Sequence, residues 1–195
     1  MSNLLSRRVF IYRALALALL PNIAVTREID GVTMDEKAVF ENGAQLQLVG
    51  AGKFHFFFLS VYMCGLYLPP RDTWGSSPLK NDTSRRITLV MLRESSAGQF
   101  LWGLNKGLAN NSSASELQSI SEQLDTLRGT VRNIRVLGRG RRVDIDYTPE
   151  TGTRIFVDGR VVGNAIMGKA LNDALLRVWI GKRPLDNGLK EALLG

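Results

Sequence analysis

The sequence predicts an α+β domain, an antiparallel sheet with a layer of helices on one face. Three observations carry this. Short apolar stretches punctuated by Asp-Gly and Asn-Gly pairs fill residues 26–68 and 85–92 and return at 130–163. Residues 97–128 and 168–195 instead repeat apolar residues every three or four positions. Strand runs kept apart from helix runs indicate α+β rather than alternating parallel units. The 195 residues are a length for one domain, and 45% hydrophobic with 22% charged residues is an ordinary globular balance.

The N-terminus is a separate matter. "MSNLLSRRVFIYRALALALLPNIAV" has Arg7, Arg8 and Arg13 before or at the start of a short apolar run, then smaller residues. That is the layout of an export signal, too short for a span of about 20 residues. "SRRVFI" resembles the twin-arginine signal of bacteria. Residues 1–24 are therefore expected to direct export to the periplasm, leaving a domain over 28–195 with no membrane span. A cut after Ala24 removes three arginines and no acid, lowering the formal charge from +7 to +4.

Asp30-Gly31 and Asn42-Gly43 are turn signals, the second between apolar stretches as in a hairpin. "GAGKFHFFFLSVYMCGLYLPP", residues 50–70, is apolar at both even and odd positions. It reads as one strand covered on both faces. As a single strand it would reach roughly 50 Å, far beyond the usual length, so a bend or bulge is expected at Ser60 or Gly65. Residues 69–84 read as a polar loop and 85–92 as a strand. Phe100, Leu101, Leu104 and Leu108 share one helical face. Leu117, Ile120, Leu124 and Leu127 share another, in a helix that Ser113 and Glu116 open as a capping box. Three strands are expected from Thr130 to Gly163, with Asp158-Gly159 as a tight turn. A helix over 168–181 turns Leu171, Leu175, Val178 and Trp179 inward, Gly181 and Pro184 end it, and a short helix closes the chain.

The residues offer little catalytic machinery. His55 is the sole histidine and Cys64 the sole cysteine, too few for an all-N/S zinc site. No nucleophile motif accompanies His55, which reads as a structural residue at a strand end. Cys64 reads as a small buried hydrophobe. "GNAIMGKA", residues 163–170, approaches a phosphate-binding loop, but Ala170 stands where that loop needs a hydroxyl. Asp144 and Asp146 alternate with Val143, Ile145 and Tyr147, the pattern of a strand with one wet face. Arg128, Arg132, Arg135, Arg139, Arg141 and Arg142 lack a nucleic-acid motif and read as a solvated face. Neither cofactor, metal nor nucleic acid is expected.

"GAGKFHFFFLSVYMCGLYLP", "GTRIFVDGRVVG", "LNKGLANN" and "ALLRVWIGKRPLDNGLKEALLG", in this order and spacing, resemble the bacterial chalcone isomerase-like family over about residues 28–195. The resemblance implies an open-faced β-sandwich with a ligand cleft between sheet and helices. It implies relatives that isomerise chalcones or bind fatty acids, and bacterial members regarded as non-catalytic. Isomerases and fatty-acid binders of this family carry an arginine two positions after the Gly-x-Gly. Here Phe54 stands there, flanked by Lys53 and His55. The binders' partner tyrosine corresponds best to Tyr67 and next to Tyr62. Tyr67 and Phe54 have opposite parity, so a shared cleft requires a bulge. Lys53, Phe54, Tyr62 and Tyr67 are thus the expected ligand-binding residues, with Lys53 as replacement cation and Tyr67 as main polar group. No catalytic residue is assigned.

The expected function is non-catalytic periplasmic binding of an apolar or amphipathic, fatty-acid-like small molecule. The alternative is an isomerase of chalcone isomerase type on a phenolic substrate, and the lost arginine counts against it. Replacing Arg7 and Arg8 by lysine should block export, read as loss of the protein from the periplasmic fraction. Unchanged periplasmic accumulation would rule out the twin-arginine route.

Overall fold

The computed structural model of the protein describes residues 25–40, 42–71 and 77–195. The segment 1–24, expected to be an export signal, and residues 72–76 of the expected polar loop lie outside the described residues. The described chain opens with β1 (Thr26–Ile29) and β2 (Val32–Asp35), an antiparallel pair. Asp30 and Gly31 turn between them with φ of 51° and 78°, as Asp-Gly hairpins require.

Seven further strands form the main sheet among the described residues. They are β3 (Lys37–Val39), β4 (Gln45–Phe56), β5 (Leu59–Leu68), β6 (Arg85–Met91), β9 (Arg142–Thr148), β10 (Gly152–Val157) and β11 (Arg160–Ile166). Their order is β11-β10-β9-β6-β5-β4-β3, with antiparallel neighbours throughout. β7 (Ser95–Ser96) and β8 (Val136–Leu137) pair separately. The helices are α1 (Ala97–Asn111), α2 (Ala114–Ser119), α3 (Ser121–Ile134), α4 (Lys169–Ile180) and α5 (Asn187–Leu194). The expected α+β class, with helices on one face of an antiparallel sheet, is the class observed.

The apolar run 50–70 is not one bent strand. It folds on itself, pairing Gly52 with Cys64, Phe54 with Tyr62 and Phe56 with Leu59 around a turn at Phe57–Phe58. Pairing the run with itself satisfies backbone groups that a lone strand of that length would leave to distant partners. The turn carries no Gly, Asn or Pro, so sequence held no sign of it. Phe57 takes φ 55°, a region bulky residues seldom enter. The register slips at Val49, between Leu48 and Gly50, and at Val61, between Ser60 and Tyr62 opposite Phe54 and His55, so one bulge adjoins the expected Ser60 and none falls at Gly65.

Both faces of this hairpin are covered. On one, Tyr62, Cys64, Leu66 and Leu68 join Ile87, Leu89, Val143 and Ile145 against Leu104, Leu108, Leu171, Leu175 and Val178 of the helices. On the other, Leu46, Leu48, Met63 and Tyr67 meet Met34 and Phe40. Met34 of the β1–β2 hairpin is fully buried there. α5 lies directly on β4. A Cβ at Gly50 would run into the Ala192 carbonyl, and one at Gly52 would sit 2.7 Å from the Ala192 methyl. The Gly-x-Gly is therefore the seat of the last helix.

Two sequence expectations change. The helix opened by the Ser113/Glu116 capping box, which is present, breaks at Ile120 into α2 and α3. α3 then runs to Ile134, through residues read as strand, because Leu124, Leu127 and Val131 keep helical spacing against the core. Packing overrides the weak helix preference of Thr130 and Val131. Second, the face bearing Asp144 and Asp146 is not wet; both carboxylates are buried. Arg86, the cross-strand partner of Asp146, grips it with two bonds of 2.5 and 2.6 Å. Thr88 donates to Asp144, and Arg142 bridges Asp144 and Asp35. The Arg86 guanidinium also stacks over Phe40. Of the basic cluster, Arg142 belongs to this buried network, while Arg128, Arg132, Arg135, Arg139 and Arg141 stay at the surface.

Tyr67 ties the second face together by donating to the Asp35 carbonyl at 2.7 Å. Burial is the main cause that pushes its hydroxyl up to about 12. The unfolded chain loses that proton first, near pH 10. Stability from neutral Tyr67 is thus complete below pH 10 and lost as pH rises towards 12. Tyr67→Phe should cost about 1 kcal/mol at neutral pH by orphaning the Asp35 carbonyl. It should also flatten the alkaline fall in stability, measured by urea unfolding at pH 7, 10 and 11.5.

Candidate functional site

A cavity of about 750 Å³ opens between the turn end of the β4–β5 hairpin and helices α1 and α4. Phe54, Phe56, Leu59, Val61 and Tyr62 form the sheet wall. Gly98, Gln99, Phe100, Trp102, Gly103 and Leu104 of α1 form a second wall, and Val178, Trp179 and Leu185 close it. Arg93, Glu94, Ser95 and Gln99 supply polar lining. Two α1 wall positions, Gly98 and Gly103, carry no side chain and leave the space beside them open. A Cβ at Gly103 would meet only Leu185, at 3.9 Å.

The structure divides the four expected residues. Phe54 and Tyr62 are cross-strand partners on the helix side and stack at 4.9 Å. Lys53 and Tyr67 point to the opposite face. Lys53 lies 3.6 Å from Asp30 of the N-terminal hairpin, and Tyr67 is bonded to Asp35. No register slip separates Tyr62 from Tyr67, so alternation keeps Tyr67 away from Phe54. The cavity's tyrosine is therefore Tyr62, and its free cation is Arg93. No carboxylate among the described residues pairs with Arg93. Sequence reasoning missed Arg93 because it follows the end of β6, where no periodicity marks a side chain's direction. It had turned Trp179 inward but not towards a site.

Tyr62 accepts a hydrogen bond from Trp179 Nε1 at 3.1 Å. Both rings are buried. Among the described residues no acceptor meets the Tyr62 hydroxyl proton, which remains to be donated. Burial pushes this hydroxyl well above the ordinary tyrosine range, with the nearby Cys64 adding to the rise and Trp179 offsetting part of it. Tyr62 is therefore a neutral donor and not a base. Burial likewise raises the Cys64 thiol, removing its nucleophilic form.

The remaining chemical candidates are committed elsewhere. His55 is exposed, with Nδ1 3.7 Å from Asp186, and its backbone N–H donates to the same carboxylate. Asp186 also caps α5, so His55 helps fasten that helix to the strand end. Lys169 of the near-phosphate-loop sequence bonds the Leu79 carbonyl at 3.0 Å and Asp173 at 2.5 Å. Among the described residues no group of three His, Cys, Asp or Glu side chains is gathered to hold a metal ion. No described helix is long and apolar enough to cross a membrane.

Comparison with known proteins agrees with this architecture. The structure of a fatty-acid binding protein of Arabidopsis thaliana, AtFAP1, superposes with a TM-score of 0.63 at 17% identity, covering 88% of this chain and 95% of that one. At that identity the likeness is one of fold. No curated protein sequence gives a significant match. The sequence profile described as chalcone isomerase-like matches residues 26–195. With nearly the whole described chain inside that match, the protein belongs to the chalcone isomerase-like family.

Proposed function

We propose that this protein is a non-catalytic periplasmic binding protein for an apolar or amphipathic small molecule of fatty-acid-like character. The carrying observation is the cavity itself: apolar and aromatic walls, one neutral tyrosine donor, and a polar lining of Arg93 with Glu94, Ser95 and Gln99. Its volume of about 750 Å³ lies within the range of small-molecule sites, about 300–1,000 Å³. Few polar groups among apolar walls orient a ligand without driving a reaction on it. The name of the Arabidopsis neighbour favours the same ligand class. The Arg7-Arg8 signal supports the periplasm as the compartment. The polar end of the ligand meets Arg93 or Tyr62, and its chain lies along Phe54, Leu104 and Trp179.

A fluorescent fatty acid titrated into the protein tests this reading. Gly103→Phe should fill the cavity and weaken binding at least about tenfold without loss of fold, since a helix interior gains from losing glycine. Phe54→Arg should tighten carboxylate binding by about 1.5–3 kcal/mol, the scale of a hydrogen bond to a charged group. Tyr67→Phe, on the far face, should leave affinity unchanged. Equal affinity in wild type and Gly103→Phe would place the probe outside the cavity.

The same arrangement argues against isomerase chemistry, because Phe54 stacked on Tyr62 occupies the position of the expected cation. Absorbance decay of a chalcone should follow the uncatalysed rate. An acceleration of about 10⁶-fold or more, the usual enzyme range, would sink the binding-only reading.

A further inference from the structure

The turn of the β4–β5 hairpin is the most exposed apolar feature among the described residues. Phe57 and Phe58 are 83% and 88% exposed, and Trp102 of α1 is 52% exposed. Phe56 joins them edge-on, 4.8 Å from Phe57 and 5.4 Å from Trp102. Nothing in the fold asks for phenylalanine at this turn. Phe57 holds a left-handed φ of 55° that Asn or Gly would accept more easily. Two bare phenylalanines at such a turn mark a contact with something outside the chain.

Strand register identifies what surrounds the tip. Tyr62 pairs with Met91, Val90 with Arg142 and Val143 with Val157, so the ends of β6 and β10 and the start of β9 lie at the same end of the sheet as the tip. That end carries exposed Arg93, Arg139, Arg141 and Arg160, and the exposed acids in the same connections are Glu94 and Asp158. Asp158 is taken by Arg141 at 2.5 Å. No carboxylate among the described residues pairs with Arg93, Arg139 or Arg160. Lys106 lies 5.0 Å over the Trp102 ring. The opposite end holds the Thr148–Gly152 turn.

We propose that this end of the sheet docks on an anionic lipid bilayer, with Phe57 and Phe58 inserted at the headgroup boundary and the arginines on lipid phosphates. Aromatic rings beside a basic rim have the chemistry of an interfacial anchor. A second copy of the chain fits less well. A stable protein interface buries about 800 Å² per partner, whereas aromatic side chains bury about 150–250 Å² each and only a few protrude here. The docking itself stands apart from the ligand reading. If that reading holds, the cavity opens beside the inserted tip, since Phe56, Leu59 and Trp102 line both.

The test labels Phe58→Cys with an environment-sensitive fluorophore in the full chain; Cys64 is fully buried and does not compete. Vesicles of phosphatidylglycerol and phosphatidylcholine should blue-shift this label but not one at Glu150→Cys, on the opposite turn. In co-sedimentation, Phe57→Ser/Phe58→Ser should weaken vesicle binding about a hundredfold, the scale of two phenylalanines leaving an apolar phase. Arg139→Gln/Arg160→Gln should weaken it at least about tenfold on anionic vesicles only. The N-terminal apolar segment is common to every variant and cancels. Neither Phe57 nor Phe58 lines the cavity, so fatty-acid binding in solution should survive their replacement, which separates failure of docking from failure of the ligand reading. A silent label at 58, or equal vesicle affinity in the double serine variant, overturns the proposal. So does a protein dimer that the serine variant dissolves without any vesicle response.

Discussion

Everything in this fold depends on covering a hairpin that is apolar on both faces. β4 and β5 carry large side chains alternately up and down, and neither set can be left in water. The helices cover one side and the β1–β2 hairpin covers the other. The second cover is small, so it is fastened by polar contacts at its margin: Tyr67 to the Asp35 backbone, Arg142 to the Asp35 carboxylate and Lys53 to Asp30. Lys53 and Tyr67, two of the four residues expected as ligand contacts, are in the structure fastenings of this cover.

The same requirement produces the cavity. α5 seats on the bare backbone of Gly50 and Gly52, and α4 packs over the middle of the sheet. The turn end of the hairpin extends beyond both, and α1 faces it there with glycines at 98 and 103. The resulting space is walled by aromatic rings and floored by the Tyr62–Trp179 pair. A neutral phenol held by an indole offers one directional hydrogen bond. That bond can orient a guest lying against the apolar walls.

Charge is sorted with equal economy. On the second face, beyond the reach of the N-terminal hairpin's apolar cover, Arg86 and Arg142 neutralise Asp144 and Asp146 in paired, nearly dry geometry. Removing one member of such a pair strands the other, which makes the network a constraint on register more than a source of stability. The arginines of the 139–141 and 158–160 connections remain at the surface, where they set the potential of the end that bears the aromatic tip.

Much of this was legible in the sequence. The Asp-Gly turns, the Ser113/Glu116 capping box, the inward faces of α1 and α4, and the segregation of strands from helices follow from local rules that act within a few residues. Phe54 and Tyr62 were identifiable because a motif with fixed spacing carries its neighbours with it. By itself the sequence determined the α+β class, the two-sided burial of the 62–68 part of the apolar run and the absence of a cation at position 54. Only the tertiary structure decided that the run folds back at Phe57–Phe58, that Asp144 and Asp146 are buried, and that Tyr62 rather than Tyr67 faces the cavity. The physical reason is that periodicity reports which residues alternate, not which neighbour covers each face. A turn without turn residues, a carboxylate neutralised from the adjacent strand and a tyrosine bonded 32 positions away are set by pairing across the chain.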